Sequence, residues 1–231
     1  TFEAFYPTVG SWAELHCYPL PDGGLAIQWK NITARKKAEE AAMYLSKASE
    51  LLASSLDYEV TLAEVVRLFV PNFADWAAVN IADPAGQPRQ LAVAHVDPSK
   101  IEWAHELNKR YPPDMNATTG VPNVLRTGKP ELYSEIPDEM LVMGAKDEEH
   151  LRIIRELGFK SAIVVPLATP QGVFGAITVV STESGRRYTT EDLDFLTELA
   201  RRAAFAVENS RLHKAEQEAR QAAESANEAK T

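Results

Sequence analysis

The sequence predicts a mixed α/β protein of the α+β type: an antiparallel sheet covered by helices, flanked by long N- and C-terminal connector helices. Three observations carry this. Two β-prone runs, 161–167 and 173–181, are separated only by Ala168-Thr169-Pro170-Gln171-Gly172, a connection short enough to make them antiparallel neighbours. Apolar helical segments are interleaved with strands through the middle of the chain, as expected where helices cover a sheet. On either side of that region lie stretches rich in Ala, Glu, Lys and Leu whose apolar residues recur three and four apart, the spacing of helices that pack along other helices.

Taken in order, residues 1–31 read as extended chain. A strand over 12–20 leads into Pro21-Asp22-Gly23-Gly24 as turn chemistry, after which Leu25, Ile27 and Trp29 alternate with Ala26, Gln28 and Lys30. This is a hairpin with one apolar face. An isolated hairpin is at best marginal in water, so the chain is expected to begin partway through a domain. From Thr33 to about Ser55, the residues Ala34, Ala38, Ala41, Leu45, Ala48 and Leu52 form a heptad seam. A single amphipathic helix lying on the next domain fits the same spacing. Residues 56–188 then carry an apolar helix around 62–69, strands near 76–81 and 90–96, helical stretches around 101–109 and 148–157, and the two β-prone runs.

At Tyr188-Thr189-Thr190-Glu191-Asp192 a hydroxyl followed three positions later by an acid marks a helix start. No Gly or Pro follows Gly185. The first part of this helix (Leu193, Leu196, Leu199, Ala203, Ala206, Val207) should pack on the domain. Leu212, Ala215, Ala219, Ala222, Ala226 and Ala229 then continue the three-four spacing amid Glu, Gln, Lys and Arg. A mostly alanine seam is too weakly apolar to stand alone and calls for a partner helix, which predicts a homodimer.

Composition narrows the function. The 231 residues are 45% hydrophobic, enough for one core and a fragment of another. With 33 acidic against 24 basic residues and a net charge of −9, no cluster of Lys or Arg is available to neutralise a phosphate backbone, so nucleic acid is not an expected partner. No apolar run approaches the roughly 20 residues that cross a bilayer. The start TFEAFYPTVG lacks a basic region followed by an apolar stretch. The segment is therefore expected in the cytoplasm, without membrane contact. One cysteine, Cys17, excludes an internal disulfide framework and a zinc site of several thiolates.

No phosphate-binding Gly-rich loop, nucleophile elbow or HExxH helix is present, so no catalytic residue is assigned to this chain. The five histidines are scattered, only His95 and His105 lie close in sequence, and no metal site is assigned. His213 on the last helix and the Glu148-Glu149-His150 run read as solvated helix faces. For a small-molecule cavity between sheet and helices the candidates are sheet-facing Trp76, Asn80 and His95 and the helical Trp103. Trp76 and Trp103 also read as ordinary aromatic core.

Three stretches resemble known families. SAIVVPLATPQGVFGAITVVSTESGRRYTTEDLDFLTELARRAAFAVENSRLHKAE, residues 161–216, resembles the C-terminal half of a bacterial GAF domain. The likeness is carried by the Ser-to-Pro-Leu strand, Gly172 and Gly175 in the hairpin, the Tyr-Thr-Thr-Glu-Asp-Leu helix start and Glu208-Asn209-Ser210-Arg211-Leu212. Residues 11–40, SWAELHCYPLPDGGLAIQWKNITARKKAEE, are similar to the last two strands and exit of a PAS domain, with Asn31 where that family usually has Asp. QAAESANEAKT at the end is similar to the segment preceding the phospho-acceptor helix of sensor histidine kinases.

Together these resemblances imply the input module of a PAS-GAF histidine kinase, cut before its catalytic part. They divide the chain into a PAS hairpin (1–32), a connector helix (33–55), a GAF domain (56–207) and a coiled-coil exit helix (208–231). The implied partners are a second copy, an unknown small-molecule ligand and a kinase domain in the same chain. The pairing and signalling residues are Ala38, Leu45, Leu52, Leu212, Ala215, Ala219, Ala222 and Ala226. A serine phosphatase or diguanylate cyclase as output, or a ligand-free dimerising spacer, fits the same residues. Covalent bilin is not implied, because Cys17 precedes the GAF region. Cyclic GMP is not implied either: Asn108-Lys109 begins the family's nucleotide motif, but no Phe-x-x-x-Asp-Glu follows.

Overall fold

The structure is a computed structural model that describes residues 1–54, 57–83 and 86–228, with the side chains of 218 and 222–228 outside the description. It contains two compact units, Thr1–Lys47 and Ala48–Thr231.

In the first unit β1 (Phe2–Tyr6), β2 (Ser11–Pro19) and β3 (Leu25–Asn31) form an antiparallel sheet in that order. The expected hairpin is β2–β3; β1 is an additional strand, pairing Phe2 with Leu15 and Tyr6 with Ser11. The pleat puts Phe2, Leu15, Trp29, Cys17 and Ile27 on one face, and Ile27 and Trp29 are largely exposed there. The sheet is tied to the start of α1 (Thr33–Ser54). The Asn31 Oδ1 accepts from the Thr33 N–H at 2.9 Å, and the Thr33 hydroxyl accepts from the Trp12 N–H at 2.9 Å. Glu3 pairs with Arg35 and Lys36, each at 2.5 Å. Along α1 Ala34 and Ala38 are exposed, Leu45 and Leu52 are half-buried, and Tyr44 and Ala48 are buried.

The second unit continues with α2 (Tyr58–Leu68), β4 (Trp76–Ala82), β5 (Pro88–His95), α3 (Ser99–Arg110), α4 (Gly120–Thr127), β6 (Glu131–Tyr133), α5 (Asp138–Gly144), α6 (Glu148–Leu157), β7 (Ser161–Thr169), β8 (Gly172–Ser181) and α7 (Thr190–Glu228). The strands form one antiparallel sheet of order β5-β4-β8-β7-β6. This is the α+β architecture that the sequence predicts. The elements α4, β6 and α5 lie outside the segments singled out by pattern. A three-residue strand has no readable period, whereas α4 does carry Val121, Val124 and Leu125 on one side and ends at Gly128 with φ 67°.

Period two divides the sheet. Ala77, Val79 and Ile81 of β4 share a face with Ile177 and Val179 of β8 and with Ile163, Val165 and Leu167 of β7. All of these are buried, as are Leu62, Val65 and Val66 of α2, Phe69 just after it, and Leu196, Leu199, Ala203 and Val207 of α7. The opposite face is covered by α3, α5 and α6 around Trp76 and by α4 against Val164 and Ala176. Gly175 is needed where β8 crosses β4: a Cβ there would meet the Asn80 carbonyl oxygen at 2.6 Å. Pro166 lies beyond the stretch of β7 that β6 reaches, which ends at Val164, so its missing N–H breaks no ladder bond on that side.

Buried polar groups fasten the strand ends. Asp75 Oδ2 accepts from the Thr182 N–H (2.6 Å), the Ser184 N–H (3.0 Å) and the Ser184 hydroxyl (2.7 Å). The Tyr188 hydroxyl donates to the Phe73 carbonyl at 3.1 Å, and the Ser161 hydroxyl accepts from the Tyr188 N–H while donating to the Tyr133 carbonyl. The start of α7 is set by Asp192, whose Oδ2 accepts from both the N–H (2.8 Å) and the hydroxyl (2.9 Å) of Thr189. That is the return limb of a capping box.

Candidate ligand-binding site

On the α3/α6 face of the sheet lies a cavity of about 240 Å³. Its floor is made by the inward row of β4, where Ala78 leaves space that a larger side chain would fill. Around Ala78 stand Thr178, directly opposite on β8, Trp76, two residues earlier on β4, and Gln90 of β5, opposite Asn80. Trp103 and Leu107 of α3, Tyr111, His150 and Leu157 of α6, and Phe159 close the rest. α6 presents His150, Ile154 and Leu157 at i, i+4 and i+7, one stripe of the helix.

Three polar atoms at this floor, Trp76 Nε1, Gln90 Oε1 and Thr178 Oγ1, are buried and find no hydrogen-bond partner among the described residues. A buried polar group left unpaired costs about 1–3 kcal/mol. Native folds rarely tolerate such groups without a function or a bound partner; of the four such atoms among the described residues, three belong to residues lining this cavity and the fourth is His95 Nε2.

The rim is charge-neutral. His150 Nδ1 accepts from the Lys146 N–H at 3.1 Å, and burial holds the imidazole pKa below its ordinary value, so at neutral pH the ring is uncharged with its proton on Nε2. It stacks on Tyr111, centroids 4.3 Å apart and planes at 8°. Burial raises the Tyr111 phenol above its ordinary value, and its hydroxyl donates to Asp147 Oδ1 at 3.1 Å. Nearby Arg110 is bound by Glu149 at 2.9 and 2.5 Å, and Lys146 Nζ donates to the Pro112 carbonyl.

Of the four residues the sequence nominated, Trp76 and Trp103 line the cavity. Asn80 is buried next to the Gly175 crossing and is not among the lining residues. His95 sits behind Trp76, ring centroids 4.0 Å apart, with Nδ1 accepting from the Asp97 N–H at 2.8 Å and Nε2 3.8 Å from Glu183 Oε2. It lines a separate open groove with Arg67, Ile101 and His105. Ala78, Gln90, Tyr111 and Thr178 escaped sequence reasoning, and His150 is half-buried rather than on a solvated face. Only His150 left a signal, its four- and seven-residue spacing from Ile154 and Leu157. Among the described residues no three His, Cys, Asp or Glu side chains gather as a metal site, and no helix is long and apolar enough to cross a membrane.

In the pairing seams, Leu212, Ala215 and Ala219 are exposed in the single chain. The side chains of Ala222 and Ala226 lie outside the described residues. Leu52 lines a groove with Ser49, Phe205 and Ser210, where Arg202 donates to the Ser49 hydroxyl at 3.3 Å. α7 makes its last described ring contacts through Arg211, whose guanidinium lies 4.8 Å from the Tyr58 ring and 4.9 Å from the Phe174 ring.

Sheet order, helical cover on both faces and a largely apolar cavity under α3 and α6 define the class: an α+β domain with room for a small molecule against its sheet. Comparison then identifies the family. The GAF domain model matches residues 57–207, and the chain belongs to that family, whose members are sensory modules found in histidine kinases among other proteins. Similar folds occur in the GAF domain of a phosphoenolpyruvate-protein phosphotransferase from Coxiella burnetii (TM-score 0.57, 18% identity, covering 77% of this chain and 98% of that one). The GAF domain of the Acinetobacter phosphoenolpyruvate-protein phosphotransferase is alike at TM-score 0.53 and 12% identity, covering 74% and 94%. Free methionine-R-sulfoxide reductase from Neisseria meningitidis, solved with its substrate, is alike at TM-score 0.52 and 18% identity, covering 75% and 93%. At such identities the likeness is one of fold. No curated protein matches the chain.

Proposed function

We propose that this chain is the sensory and dimerising module of a cytoplasmic two-component histidine kinase. In this reading a GAF domain (56–207) follows the end of a PAS domain (1–32) and a connector helix (33–55), and reports through an exit helix (208–231) to a kinase domain in the same chain. The observation that carries the reading is α7. A single helix of 39 residues is domain core at Leu196, Leu199, Ala203 and Val207, yet runs on past residue 207 with Leu212, Ala215 and Ala219 exposed. An isolated alanine-rich helix is marginal in water, so this stripe is best explained by pairing with a second copy. The PAS reading is supported by the order β1-β2-β3 and by the Asn31–Thr33 contact, which a neutral amide serves as well as a carboxylate. The choice of a histidine kinase as output rests on the likeness of the last residues.

The sheet offers a physical route from cavity to helix. On β8, Thr178 and Val180 line the cavity while Ile177 and Val179 face the α2/α7 side. A ligand that shifts β8 therefore acts on the packing of α7 and on the arrangement of a paired exit helix, a bistable element of the kind that relays small shifts. The unpartnered polar atoms around Ala78 count against a ligand-free spacer.

Sedimentation of the purified chain tests the pairing. A dimer is expected, with Leu212→Glu combined with Ala219→Lys driving it to monomer while the far-ultraviolet spectrum of the domain is kept. A wild-type chain that stays monomeric at micromolar concentration would remove the exit-helix mechanism. In the full-length protein, inserting two residues after Arg220 should uncouple autophosphorylation, and inserting seven should restore it, because seven keeps the heptad phase.

A further inference from the structure

We infer that the cavity around Ala78 takes a neutral aromatic molecule of one or two rings that carries a hydrogen-bond acceptor and a donor. This rests on the ligand-sensing reading and goes further by naming the ligand's chemistry.

Size comes first. A cavity of about 150 Å³ lined by aliphatic and Phe side chains holds benzene. The 240 Å³ here leaves room for a substituted ring or a fused pair. The lining is aromatic on several sides, from Trp76, Trp103, Tyr111 and Phe159, which favours a flat, polarisable occupant.

Charge comes second. No Asp, Glu, Lys or Arg side chain lines the cavity among the described residues. The charged groups beside it are engaged elsewhere: Arg110 by Glu149, and Lys146 by the Pro112 carbonyl. An ionised ligand would leave water and meet no opposite charge. Carboxylates, phosphates and ammonium compounds are all disfavoured on this ground.

The third constraint is the set of unpaired atoms. Trp76 Nε1 can only donate, Gln90 Oε1 can only accept, and the Thr178 hydroxyl can do either. Thr178 stands opposite Ala78, at a separation of about 4.5–5.5 Å between facing Cβ atoms, while Trp76 is two residues earlier on the same strand and Gln90 faces Asn80, on the diagonal across β5. These atoms have no exposed surface in this structure, so a molecule with an acceptor for the indole N–H and a donor for the Gln90 carbonyl pairs with them as the side chains turn toward it, and so satisfies what the fold leaves unpaired.

Benzamide, benzoate and benzamidinium have nearly the same size and shape and differ in charge, and indole adds a neutral fused pair. Saturation-transfer NMR with the whole chain and each probe in turn tests the inference. Benzamide is expected to bind at least tenfold more tightly than benzoate or benzamidinium. Thr178→Val or Gln90→Met should weaken benzamide about fivefold, and Ala78→Leu, which fills the floor, should abolish it, with amide spectra showing each variant folded. If benzoate or benzamidinium binds as well as benzamide and Ala78→Leu abolishes that binding, the neutral class is wrong while the sensing site stands. If benzamide and indole bind equally well to wild type, Ala78→Leu and Gln90→Met, the cavity is not their site and the sensing reading falls with it. Absence of any benzamide or indole signal from the wild-type chain overturns the inference.

Discussion

The two faces of the five-stranded sheet use the same strands for different ends. On the α2/α7 side the central rows are sealed and, apart from Ser161 and Ser181 at the strand ends, apolar, with full burial of Val79, Ile163, Val165, Leu167, Ile177 and Val179. On the α3/α6 side the alternating positions of those strands are Trp76, Ala78, Gln90, Thr178 and Val180, which leave a cavity and three unpaired polar atoms. A face that existed only for stability would not hold such groups, since each detracts from it. One side of the sheet is sealed core, and the other keeps a pocket.

Substitutions can break or sharpen this contrast. The largest effect is expected on the sealed side, where Leu196→Ala in α7 removes a fully buried side chain and should cost about 2–5 kcal/mol in urea unfolding. The most direct comparison uses neighbours. Ala77→Leu, on the sealed face, forces extra volume into packed core and should cost about 1–3 kcal/mol, whereas Ala78→Leu enters the cavity and should leave the melting temperature unchanged or raised. Equal losses at both positions would erase the distinction between the faces. Smaller still, Thr178→Val removes an unpaired hydroxyl and should be neutral or stabilising by up to about 1 kcal/mol. A loss above that would mean the hydroxyl is paired after all.

The smallest expected effect concerns acid. Burial alone would raise the Glu183 carboxyl, but hydrogen bonds from the Lys100 ammonium and the Thr182 hydroxyl outweigh it and hold the pKa down to about 2. A carboxylate depressed in the folded state contributes stability that is present above its unfolded value, near 4.5, and lost as pH falls from there toward about 2. Lys100 lies in the first turn of α3 and His95 Nε2 also faces Glu183, so acid should loosen the roof of the cavity before the sealed face. The side chain is about half exposed, and the contribution is correspondingly small and screened by salt. Hydrogen exchange should show the amides of α3 losing protection between pH 5 and about pH 3 while those of α2 keep theirs, and Glu183→Gln should remove the difference.

What the sequence by itself determined is local in origin. The β7–β8 hairpin follows from two β-prone runs around Pro170-Gln171, and the start of α7 from Thr189 and Asp192 meeting within one turn. The α+β class follows from elements whose periods of 2 and 3.6 can be counted along the chain. Gly175 was legible as a hairpin glycine, and the fold supplies the reason for it, the Asn80 carbonyl lying where a Cβ would sit. Trp76 and Trp103 were legible as cavity lining and as ordinary core alike, and nothing in their spacing told the two apart. The site was decided by tertiary structure. Ala78, Gln90 and Thr178 come together because β4 lies between β5 and β8 in a particular register, and a shift of one residue would turn each of them to the other face. Whether a polar atom is paired, or a small side chain leaves a hole, depends on what stands opposite it, and that partner lies on another strand or helix far along the chain.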